Sequence, residues 1–510
     1  MRLVLVNPPK TNHERAEIAP PLGLLRIAEA AIHAGASVAI EDYNLLYHLL
    51  PELRSDFYQA ATERLLSLAA DFYGFTSMAV DSHVALELAR RLKQARPDCS
   101  TLFGGPHFSS AADQFQLRYP WVDHIVKGDG ELRVQQLISP LTGNDKLVVL
   151  GAQDSLRVPR SAYSLVDLGA YFYVNPNRVF NYEPNRGCRY KCTFCYSPGF
   201  YGAALDLEVD KVVADLALLK SYGAKRVFFV GDNLINNRKW VIALCSALHG
   251  ANLGLDWYCY ATLPDFDVEL AQQMAEAGCS QVFMGIDVVG ATSEKQFHKA
   301  FTRRESDLER KIRAIREAGI SAPTCGFILC PPSHPGSKDW MTTIQAALAT
   351  RRAGAEILFN VLNIYAGTEA EQNSPVHRTA DALQTELLLD VPPVVQRNSY
   401  APTNPGGFPF HSRYVPEDEW NGFLRMAHCL HTLVNLFPDE LTTLIEKRRM
   451  TPVELAQMVV ARTGELLAIQ PEERRSREAR EASHLFKHMK INDLSASPGG
   501  RISAFRQESW

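Results

Sequence analysis

The chain has 510 residues, a length that corresponds to roughly three domains. Its 53 lysines and arginines nearly balance 57 aspartates and glutamates, which excludes a strongly basic nucleic-acid-binding surface as its main feature. Hydrophobic residues make up 46% and charged residues 22%, which excludes disorder or a collagen-like repeat for most of the chain.

Residues 1–140 alternate short apolar runs with helical patterns. The first apolar run stops at Pro8 and Pro9, so it is too short for a signal peptide and predicts a buried strand. The predicted strands are Arg2–Val6, Ser37–Glu41, Asp71–Phe75, Thr101–Gly104 and Val122–Val126. The predicted helices are Leu22–Ala34, Ser82–Arg96 and Phe108–Arg118. This order predicts a Rossmann-like, doubly wound α/β domain, whose ligands bind at the carboxyl ends of its strands.

Residues 141–174 are loop-rich and are interpreted as a linker to a second alternating series over 175–369. The predicted strands of that series are Arg178–Tyr182, Arg226–Val230, Leu255–Tyr260, Gln281–Ile286, Pro323–Leu329 and Ile357–Ile364. The predicted helices are Val209–Tyr222, Lys239–Leu248, Val268–Ala277, Arg304–Ala318 and Lys338–Ala353. Six β/α units are too few for a closed eight-unit barrel of about 250 residues, so they predict an open partial (β/α)6 barrel.

Residues 370–510 change character, because prolines and glycines cluster there before helical patterns return. Helices are predicted at Glu417–Phe437 and Pro452–Ala468, and the last twenty or so residues have the composition of a flexible tail. We interpret this region as a mostly helical and loop-rich cap, with residues 400–414 as a hypothetical lid. No run of about 18 apolar residues predicts a membrane span, and we expect a soluble cytoplasmic protein.

Three cysteines stand directly after the first strand of the barrel series, as Cys188-x3-Cys192-x2-Cys195. The chain has ten cysteines, too few for a disulfide scaffold at this length, and these three form the only cluster. Three thiolates on one tight loop can bind a four-iron cluster and leave one iron open for another ligand. The alternative is a zinc knuckle, but structural zinc takes four ligands and no second pair or nearby histidine is present.

With Phe194 before the third cysteine, the spacing Cys-x3-Cys-x-aromatic-Cys resembles the signature of the radical SAM superfamily. The resemblance implies a [4Fe-4S] cluster on Cys188, Cys192 and Cys195, whose open iron binds S-adenosylmethionine (SAM). An electron from the cluster would then cleave SAM and release a 5′-deoxyadenosyl radical. The same resemblance implies that Phe194 and Tyr196 lie beside the adenine of SAM.

The resemblance also assigns SAM contacts to residues at the ends of later strands. Gly231, Asp232 and Asn233 would face the methionine amino group, and Asp287 would lie near the ribose in place of the family's more common glutamate. In the fifth barrel strand the matching residues are Gly326 and Ile328. Each of these is singly also an ordinary strand end or turn; jointly, after the cysteine motif, they indicate a SAM site.

The loops of the N-terminal domain contain, in order, Val6-Asn7-Pro8-Pro9, Pro20-Pro21-Leu22-Gly23-Leu24, Phe75-Thr76-Ser77, Gly104-Gly105-Pro106-His107 and Gly128-Asp129-Gly130-Glu131. With these loops the domain resembles the cobalamin-binding domain that precedes the barrel in one subgroup of radical SAM proteins. The resemblance is carried by loops after sheet strands, where glycines allow a ligand to approach the backbone. No Gly-x-Gly-x-x-Gly follows the first strand, so a dinucleotide is disfavoured. The implied cobalamin contacts are Pro8, Pro21, Leu22, Gly23, Thr76, Ser77, Met78, Gly104, Gly105, Pro106, His107, Gly128, Asp129, Gly130 and Glu131.

The segment Asp81-Ser82-His83 is similar to the start of the Asp-x-His-x-x-Gly motif, whose histidine binds cobalt in other cobalamin proteins. Leu86 occupies the glycine position, and the segment follows the third strand instead of the first. We therefore interpret Asp81 as a helix N-cap with His83 in the first turn, and we expect no bond between His83 and cobalt. Met78 is a candidate by position alone for the residue below the corrin.

No catalytic residue beyond the cofactor sites is identified by a motif. Cys330 and Tyr365 are candidates for contact with the substrate, because both follow barrel strands. The remaining cysteines in strand and helix patterns, such as Cys259 and Cys325, are predicted to be buried apolar residues.

Together these features predict a cobalamin-dependent radical SAM C-methyltransferase. By the resemblance, cobalt takes a methyl group from one SAM, and the deoxyadenosyl radical from a second SAM activates the substrate carbon that receives it. The cofactors do the difficult chemistry, and the protein positions them and excludes solvent. The resemblance further implies a small-molecule or peptide substrate, an electron donor of the flavodoxin or ferredoxin type, and no nucleic-acid partner.

Three alternatives stay open from the sequence. A relative with the same cofactors catalyses a rearrangement, cyclisation or ring contraction without methylation. A methylthiotransferase that acts on RNA is disfavoured, because only Cys99 precedes Cys188. A non-catalytic corrinoid-binding protein would hold cobalamin and no iron–sulfur cluster.

Overall fold

The computed structural model describes residues 1–9, 18–78, 81–110, 112–142, 154–201, 204–299, 305–330, 334–362, 367–373, 417–449, 451 and 454. They include two parallel sheets, of five and six strands, and a two-stranded antiparallel ribbon. The predicted α/β fold is therefore confirmed. Within the described ranges, no helix combines the length and apolar character that a membrane crossing requires.

The N-terminal sheet has the strand order β2-β1-β3-β4-β5, with all neighbours parallel. Its strands are β1 Arg2–Asn7, β2 Ser37–Asp42, β3 Phe72–Thr76, β4 Ser100–Gly104 and β5 His124–Ile125. The central strand β1 is an unbroken apolar run from Leu3 to Val6, and each of these residues is buried. Such a run is typical of a parallel strand covered by helices on both faces, as predicted.

Helices α1 Leu22–His33, α5 Ser82–Ala95 and the pair α6 Pro106–Ser110 and α7 Ala112–Arg118 occupy the predicted positions. The sequence analysis missed α2 Tyr43–Leu49, α3 Glu52–Ser55, α4 Phe57–Ser67 and α8 Gly130–Thr142. Asp42 caps α2 by accepting a hydrogen bond from the backbone of Asn44 at 3.0 Å, and Asp56 caps α4 in the same way. Both caps are local sequence signals that could have located these helices.

Described residues of the predicted linker 141–174 include two short 3₁₀ turns and α9 Leu168–Val174, so the segment is more structured than expected. The hydroxyl of Tyr171 donates to the buried carboxylate of Asp42 at 2.5 Å, which ties α9 to the N-terminal sheet. Burial is the largest cause that raises the pKa of Asp42, against the hydrogen bonds it accepts. The exact limits of the linker and of its neighbouring domains stay a prediction.

The second sheet has the order β13-β12-β11-β10-β9-β6, again with parallel neighbours. Its strands are β6 Val179–Tyr182, β9 Arg226–Phe229, β10 Asp256–Ala261, β11 Cys279–Asp287, β12 Ala322–Leu329 and β13 Glu356–Val361. The two-stranded ribbon of β7 Asn185–Arg186 and β8 Leu205–Asp206 flanks the cysteine loop. All six predicted barrel strands are present, each within a few residues of its expected limits.

The barrel helices are α11 Val209–Ser221, α12 Arg238–Ala251, α13 Val268–Glu276, α14 Ala291–Phe297, α15 Glu305–Glu317 and α16 Trp340–Arg352. The short helices α10 Ser197–Phe200 and α17 Glu369–Asn373 were not predicted, and neither was α14. Strand residues alternate between buried side chains that pack against the helices and partly exposed side chains on the opposite, inner face. Cys259 and Cys325 are on the buried face, as predicted.

Two C-terminal helices, α18 Glu417–Leu436 and α19 Pro438–Arg448, follow the barrel; the first was predicted and the second was missed. The side-chain amide of Asn435 accepts from the backbone N–H of Ile357 at 2.9 Å and donates to its carbonyl at 2.8 Å. Helix α18 thereby satisfies backbone groups on the edge strand β13, which an open barrel would otherwise expose. The hypothetical lid at 400–414 and nearly all of the predicted helix Pro452–Ala468 lie outside the described residues.

Candidate functional site

The cysteine loop connects β7 to α10 at the carboxyl end of the first barrel strand. Gly187 opens the loop with a φ of +83°, and the backbone N–H of Cys195 donates to the carbonyl of Cys192 at 3.0 Å. The amide of Asn236 donates to the carbonyl of Gly187 at 2.7 Å, which joins the start of the loop to the segment after β9. The loop is therefore tightly folded and anchored by neighbouring strands.

The three thiols of this loop, on Cys188, Cys192 and Cys195, are partly buried and lie close enough to affect one another's ionisation. Burial is the largest cause that raises the pKa of each thiol, and it brings that of Cys195 to about 12. The field of Cys188 raises the pKa of Cys192 further. Thiolates in such surroundings require a metal or a positive charge to hold them ionised.

A buried lysine that the sequence analysis missed supplies positive charge beside the loop. Lys299 is 4% exposed; its Nζ donates to the carbonyl of Gly285 at 3.0 Å and to the carboxylate of Asp287. Nζ is 6.0 Å from the ring centroid of Phe194. Burial lowers the pKa of Lys299 to about 8, against the fields of the three thiols, which favour the charged form. No sequence motif marks Lys299, because only the fold brings it to the cysteines.

Asp287 ends β11 in a strained conformation. Its φ is +66°, a left-handed value that residues other than glycine rarely adopt. The register of β11 against β12 also shifts between Gly285 and Asp287. Such a conformation costs on the order of 1–3 kcal/mol and is concentrated at functional sites. The bulge turns the carboxylate toward Lys299, within the predicted SAM site.

The segment after β9 also packs against the cysteine loop, as the resemblance implied for Gly231, Asp232 and Asn233. A Cβ at Gly231 would stand 2.1 Å from the side-chain oxygen of Asn185, so only glycine fits there. Asp232 accepts from the hydroxyl of Ser197 at 2.9 Å. The side-chain amide of Asn233 donates to Oδ1 of Asn236 at 3.0 Å, and its polar group beside Cys188 lowers the pKa of that thiol.

An aromatic cluster of Phe194, Phe297 and His334 lies on the other side of the loop. The rings of Phe194 and Phe297 meet edge to face at 5.4 Å, and that of His334 stacks on Phe297 at 5.6 Å. Phe194 and Ile328 both pack on the same small apolar cluster. Tyr196 is largely buried beside Phe200, and burial raises the pKa of its hydroxyl.

The substrate candidates Cys330 and Tyr365 have different outcomes. Cys330 is 1% exposed and packs in the apolar cluster with Val288, Phe297 and Leu362, where burial raises the pKa of its thiol. A Cβ at Gly336 would stand 2.7 Å from its sulfur, so the thiol is closely enclosed. This packing favours a structural role for Cys330. Tyr365 lies outside the described residues.

Gly326 lies on the inner face of the barrel, where the ring of Phe283 packs against it. A Cβ at this position would stand 2.8 Å from Cζ of Phe283, so the glycine provides room for that ring. Its direct contact with SAM stays a prediction.

The carboxyl edge of the N-terminal sheet has open space and unpartnered polar atoms. Ideal Cβ atoms at Gly23 and Gly128 would meet no heavy atom within 4 Å. Among the described residues, neither the buried hydroxyl of Ser77 nor Nε2 of buried His107 has a hydrogen-bond partner. Burial lowers the pKa of His107 to about 4, so its imidazole is neutral at physiological pH. Met78, the last described residue after β3, is 48% exposed.

The remaining predicted cobalamin residues lie around the same edge or support it. Gly105 has a φ of +93°, and a Cβ there would stand 3.0 Å from Oγ1 of Thr76. Gly130 packs against α1, where a Cβ would stand 2.6 Å from Cδ1 of Ile27. The other predicted contacts lie beside strand ends or helix starts: Pro8, Pro21, Leu22, Gly104 and Pro106.

The segment that contains His83 differs in one detail from expectation. Asp81 is the N-cap residue of α5, as predicted, although its side chain makes no capping hydrogen bond to the helix. His83 is buried in the first turn of the helix, as predicted.

A buried ion network joins the two sheets' carboxyl edges. Arg186, two residues before Cys188, pairs with Asp129 at 2.8 Å and with Glu131 at 3.4 Å from the N-terminal domain. It also pairs with Glu183 of the barrel at 2.9 Å, and Glu183 in turn pairs with Arg26 of α1. The structure thus turns two predicted cobalamin residues, Asp129 and Glu131, toward an arginine that the sequence analysis missed.

The side chains gathered at these two sites fit the two groups that the sequence implied. Three mutually interacting thiols beside a buried ammonium fit an iron–sulfur cluster with three protein ligands. Within the described residues, no three histidine, cysteine or acidic side chains are arranged to hold a single metal ion. Open space at Gly23 and Gly128, with unpartnered atoms of Ser77 and His107, fits a large ligand on the sheet edge.

Two family models match the chain in the same two places. Residues 182–341 match the radical SAM superfamily, and residues 11–138 match the B12 binding domain. The first match includes the cysteine loop and strands β9 to β12 of the barrel, and the second includes strands β2 to β5 of the N-terminal sheet. A [4Fe-4S] cluster, SAM and cobalamin are therefore the cofactors of these domains.

Individual proteins are similar to this chain in sequence or in fold. An uncharacterised methyltransferase of Pyrococcus horikoshii is 24% identical over 60% of this chain and 70% of its own length. The hopanoid C-2 methylase of Rhodopseudomonas palustris is 29% identical over 62% of this chain, but over only 57% of its own length. The solved structure of the radical SAM methyltransferase TsrM from Kitasatospora setae, with cobalamin and a [4Fe-4S] cluster bound, has a similar fold. Its TM-score is 0.59 at 17% identity, over 90% of this chain and 99% of that one.

Proposed function

We propose, for a chain that belongs to the radical SAM superfamily and carries a B12-binding domain before its radical SAM domain, that it is a cobalamin-dependent C-methyltransferase. When bound, the cluster and SAM supply a radical that activates a substrate carbon, and cobalamin carries the methyl group that this carbon receives. The named relatives that are methyltransferases favour this reading over a rearrangement with the same cofactors.

The observation that carries the proposal is the direct contact between the two cofactor edges. Helix α10, which follows Cys195, packs against α6, which contains His107. Arg186, just before the cysteine loop, binds Asp129 and Glu131 of the other edge. A methyl donor on one edge and a radical source on the other therefore face a shared space, in which one substrate carbon can meet both.

On the barrel side, we assign the cluster to Cys188, Cys192 and Cys195 and the surrounding SAM site to the strand ends. Lys299 offsets the negative charge of the thiolates and pairs with Asp287 in the same site. Asp232 and Asn233 line that site and are held by hydrogen bonds, Asp232 to Ser197 and Asn233 to Asn236. The buried surroundings keep water away from a reactive radical.

On the N-terminal side, we assign cobalamin to the open edge around Gly23, Ser77, His107 and Gly128. The uncharged imidazole of His107 offers Nε2 as a hydrogen-bonding atom for the ligand, and Ser77 offers its hydroxyl. His83 is buried in the first turn of α5, so we keep the proposal that it does not bind cobalt. The remaining cobalamin contacts implied by the resemblance stay part of this proposal.

We further propose a small-molecule or peptide substrate, a flavodoxin or ferredoxin as electron donor, and a cytoplasmic location. All ten cysteines are free thiols, which is typical of a reducing compartment. Low-potential clusters require such a donor and lose integrity in oxidising surroundings.

Methyl transfer is tested with anaerobically purified enzyme, methyl-labelled SAM, a reductant and a small-molecule extract of the cells that make the protein. We expect one compound in the extract to gain the labelled methyl group, and we expect no labelling with the Cys192→Ala variant. A new but unlabelled product would contradict methyl transfer and identify a rearranging or cyclising enzyme. Absence of iron from the wild-type protein would instead support a corrinoid-binding protein.

A further inference from the structure

The inner face of the barrel is lined by aromatic rings directly below the cysteine loop. Strand residues with buried side chains face the helices, whereas Phe228, Tyr258, Tyr260 and Phe283 alternate with them and face inward. The ring of Phe228 stacks on that of Tyr258 at 4.4 Å, with only 4° between the planes. These four side chains, here called the aromatic wall, span three adjacent strands.

The aromatic wall is accessible, unlike the interior of a filled barrel. Tyr260 is 38% exposed, although it lies next to the last residue of β10 and pairs in register with Phe283 of β11. Its ring meets Phe228 edge to face at 5.0 Å and Phe283 at 5.5 Å. A closed barrel fills this space with packed side chains, so exposed rings here indicate a surface left for a ligand.

Glycines form the layer next to Phe283 on the inner face. Gly285 of β11 and Gly326 of β12 pair in register there, and the lack of a Cβ at Gly326 leaves room for the ring of Phe283. The next layer up carries Asp287, whose carboxylate binds Lys299 in the SAM site. A ligand lying on the wall would therefore extend upward toward the radical source.

Charged side chains on the described inner face lie away from the aromatic wall or are already paired. At its base, Arg226 pairs with Asp256 at 2.8 Å, and the guanidinium also lies over the ring of Tyr258 at 4.4 Å. At its mouth, Asp287 pairs with Lys299. Glu356 is on the far strand β13. The middle of the face therefore offers stacking and apolar contact, but no spare charge for an ionic substrate.

From this arrangement we infer that the substrate of the proposed methyl transfer is a neutral molecule with an aromatic or fused-ring skeleton, which stacks on Tyr260. The inference rests on the proposed function for the reaction, but the binding surface can be tested without turnover. Aromatic rings bind flat apolar skeletons through stacking and burial, and a few polar groups at the rim fix their orientation. Leu358 of β13, in register with Gly326, adds an apolar side chain to the same face of the sheet.

The test uses the neutral fluorescent ring compound N-phenyl-1-naphthylamine as a probe of the cofactor-loaded enzyme. We expect saturable binding, and we expect Tyr260→Ser to weaken it by roughly tenfold, the loss typical of one aromatic contact. Tyr173→Ser removes a tyrosine that is 81% exposed outside the barrel, and it serves as the matched control with unchanged binding.

A second variant covers the case in which Tyr260→Ser does not fold. Asn360→Trp adds a ring at an exposed inward position of β13, in register with Ile328, and should hinder the probe by occupying part of the inner face. Equal probe affinity in the wild type, Tyr260→Ser and Asn360→Trp would overturn the inference. A different result would be that the probe binds and both variants weaken its binding as expected, but no extract yields a labelled product. That result would overturn the proposed methyl transfer and leave the aromatic site in place.

Discussion

At the scale of the residue, Lys299 has the clearest consequence for the cluster. Its ammonium is buried within range of three thiols, and removing a cation from beside a cluster disfavours the more negative, reduced form. We therefore expect Lys299→Met to lower the midpoint potential of the cluster. The expected shift is about 59 mV, which corresponds to ~1.4 kcal/mol for a one-electron couple. A redox titration followed by electron paramagnetic resonance measures it.

Two further variants separate charge from packing at this position. Lys299→Arg keeps the charge and should restore most of the potential, while Lys239→Met removes an exposed lysine on α12 and should leave the potential unchanged. A midpoint potential in Lys299→Met that equals the wild type would show that this ammonium does not act on the cluster.

At the scale of the element, the joint between the N-terminal domain and the barrel depends on Arg186. Removing it takes from buried Glu131 its ion-pair partner, whereas Glu183 keeps its pair with Arg26; breaking a buried pair costs about 3–5 kcal/mol. We expect Arg186→Met to lower the free energy of unfolding by that amount in a urea titration. Arg238→Met is the control: that arginine pairs with Asp267 and Glu269 at the surface, where loss costs about 0–1 kcal/mol. Similar losses in both variants would contradict a buried joint.

Predictability from the sequence also differs between elements. The barrel strands were located because each is a short apolar run between helical patterns, and the cysteine motif placed the cluster loop at the end of the first of them. Helix α14 was missed because it is short and follows the strained turn at Asp287. Lys299, Arg186 and Tyr260 acquire roles only through contacts between distant segments, which no local pattern records.

At the scale of the whole molecule, the two cofactor sites lie on separate sheets and should fail independently. Cys192→Ala removes a thiol on the barrel, so we expect it to lose iron and retain cobalamin. Gly23→Trp should do the reverse, because its indole would fill the space on the N-terminal edge where an ideal Cβ meets no atom within 4 Å. Metal analysis for iron and cobalt, on protein reconstituted anaerobically with both cofactors, measures the two losses separately.

Gly250→Trp is the matched control, because Gly250 is also an exposed helical glycine whose ideal Cβ meets no atom within 4 Å, but it lies on α12 of the barrel. It should retain both metals, which separates an effect of site from an effect of adding an indole to a helix. Cobalt retained in Gly23→Trp would move the cobalamin site away from the start of α1. Loss of both metals in either site variant, with an unchanged free energy of unfolding, would mean that the buried ion network couples the two sites instead of only aligning them.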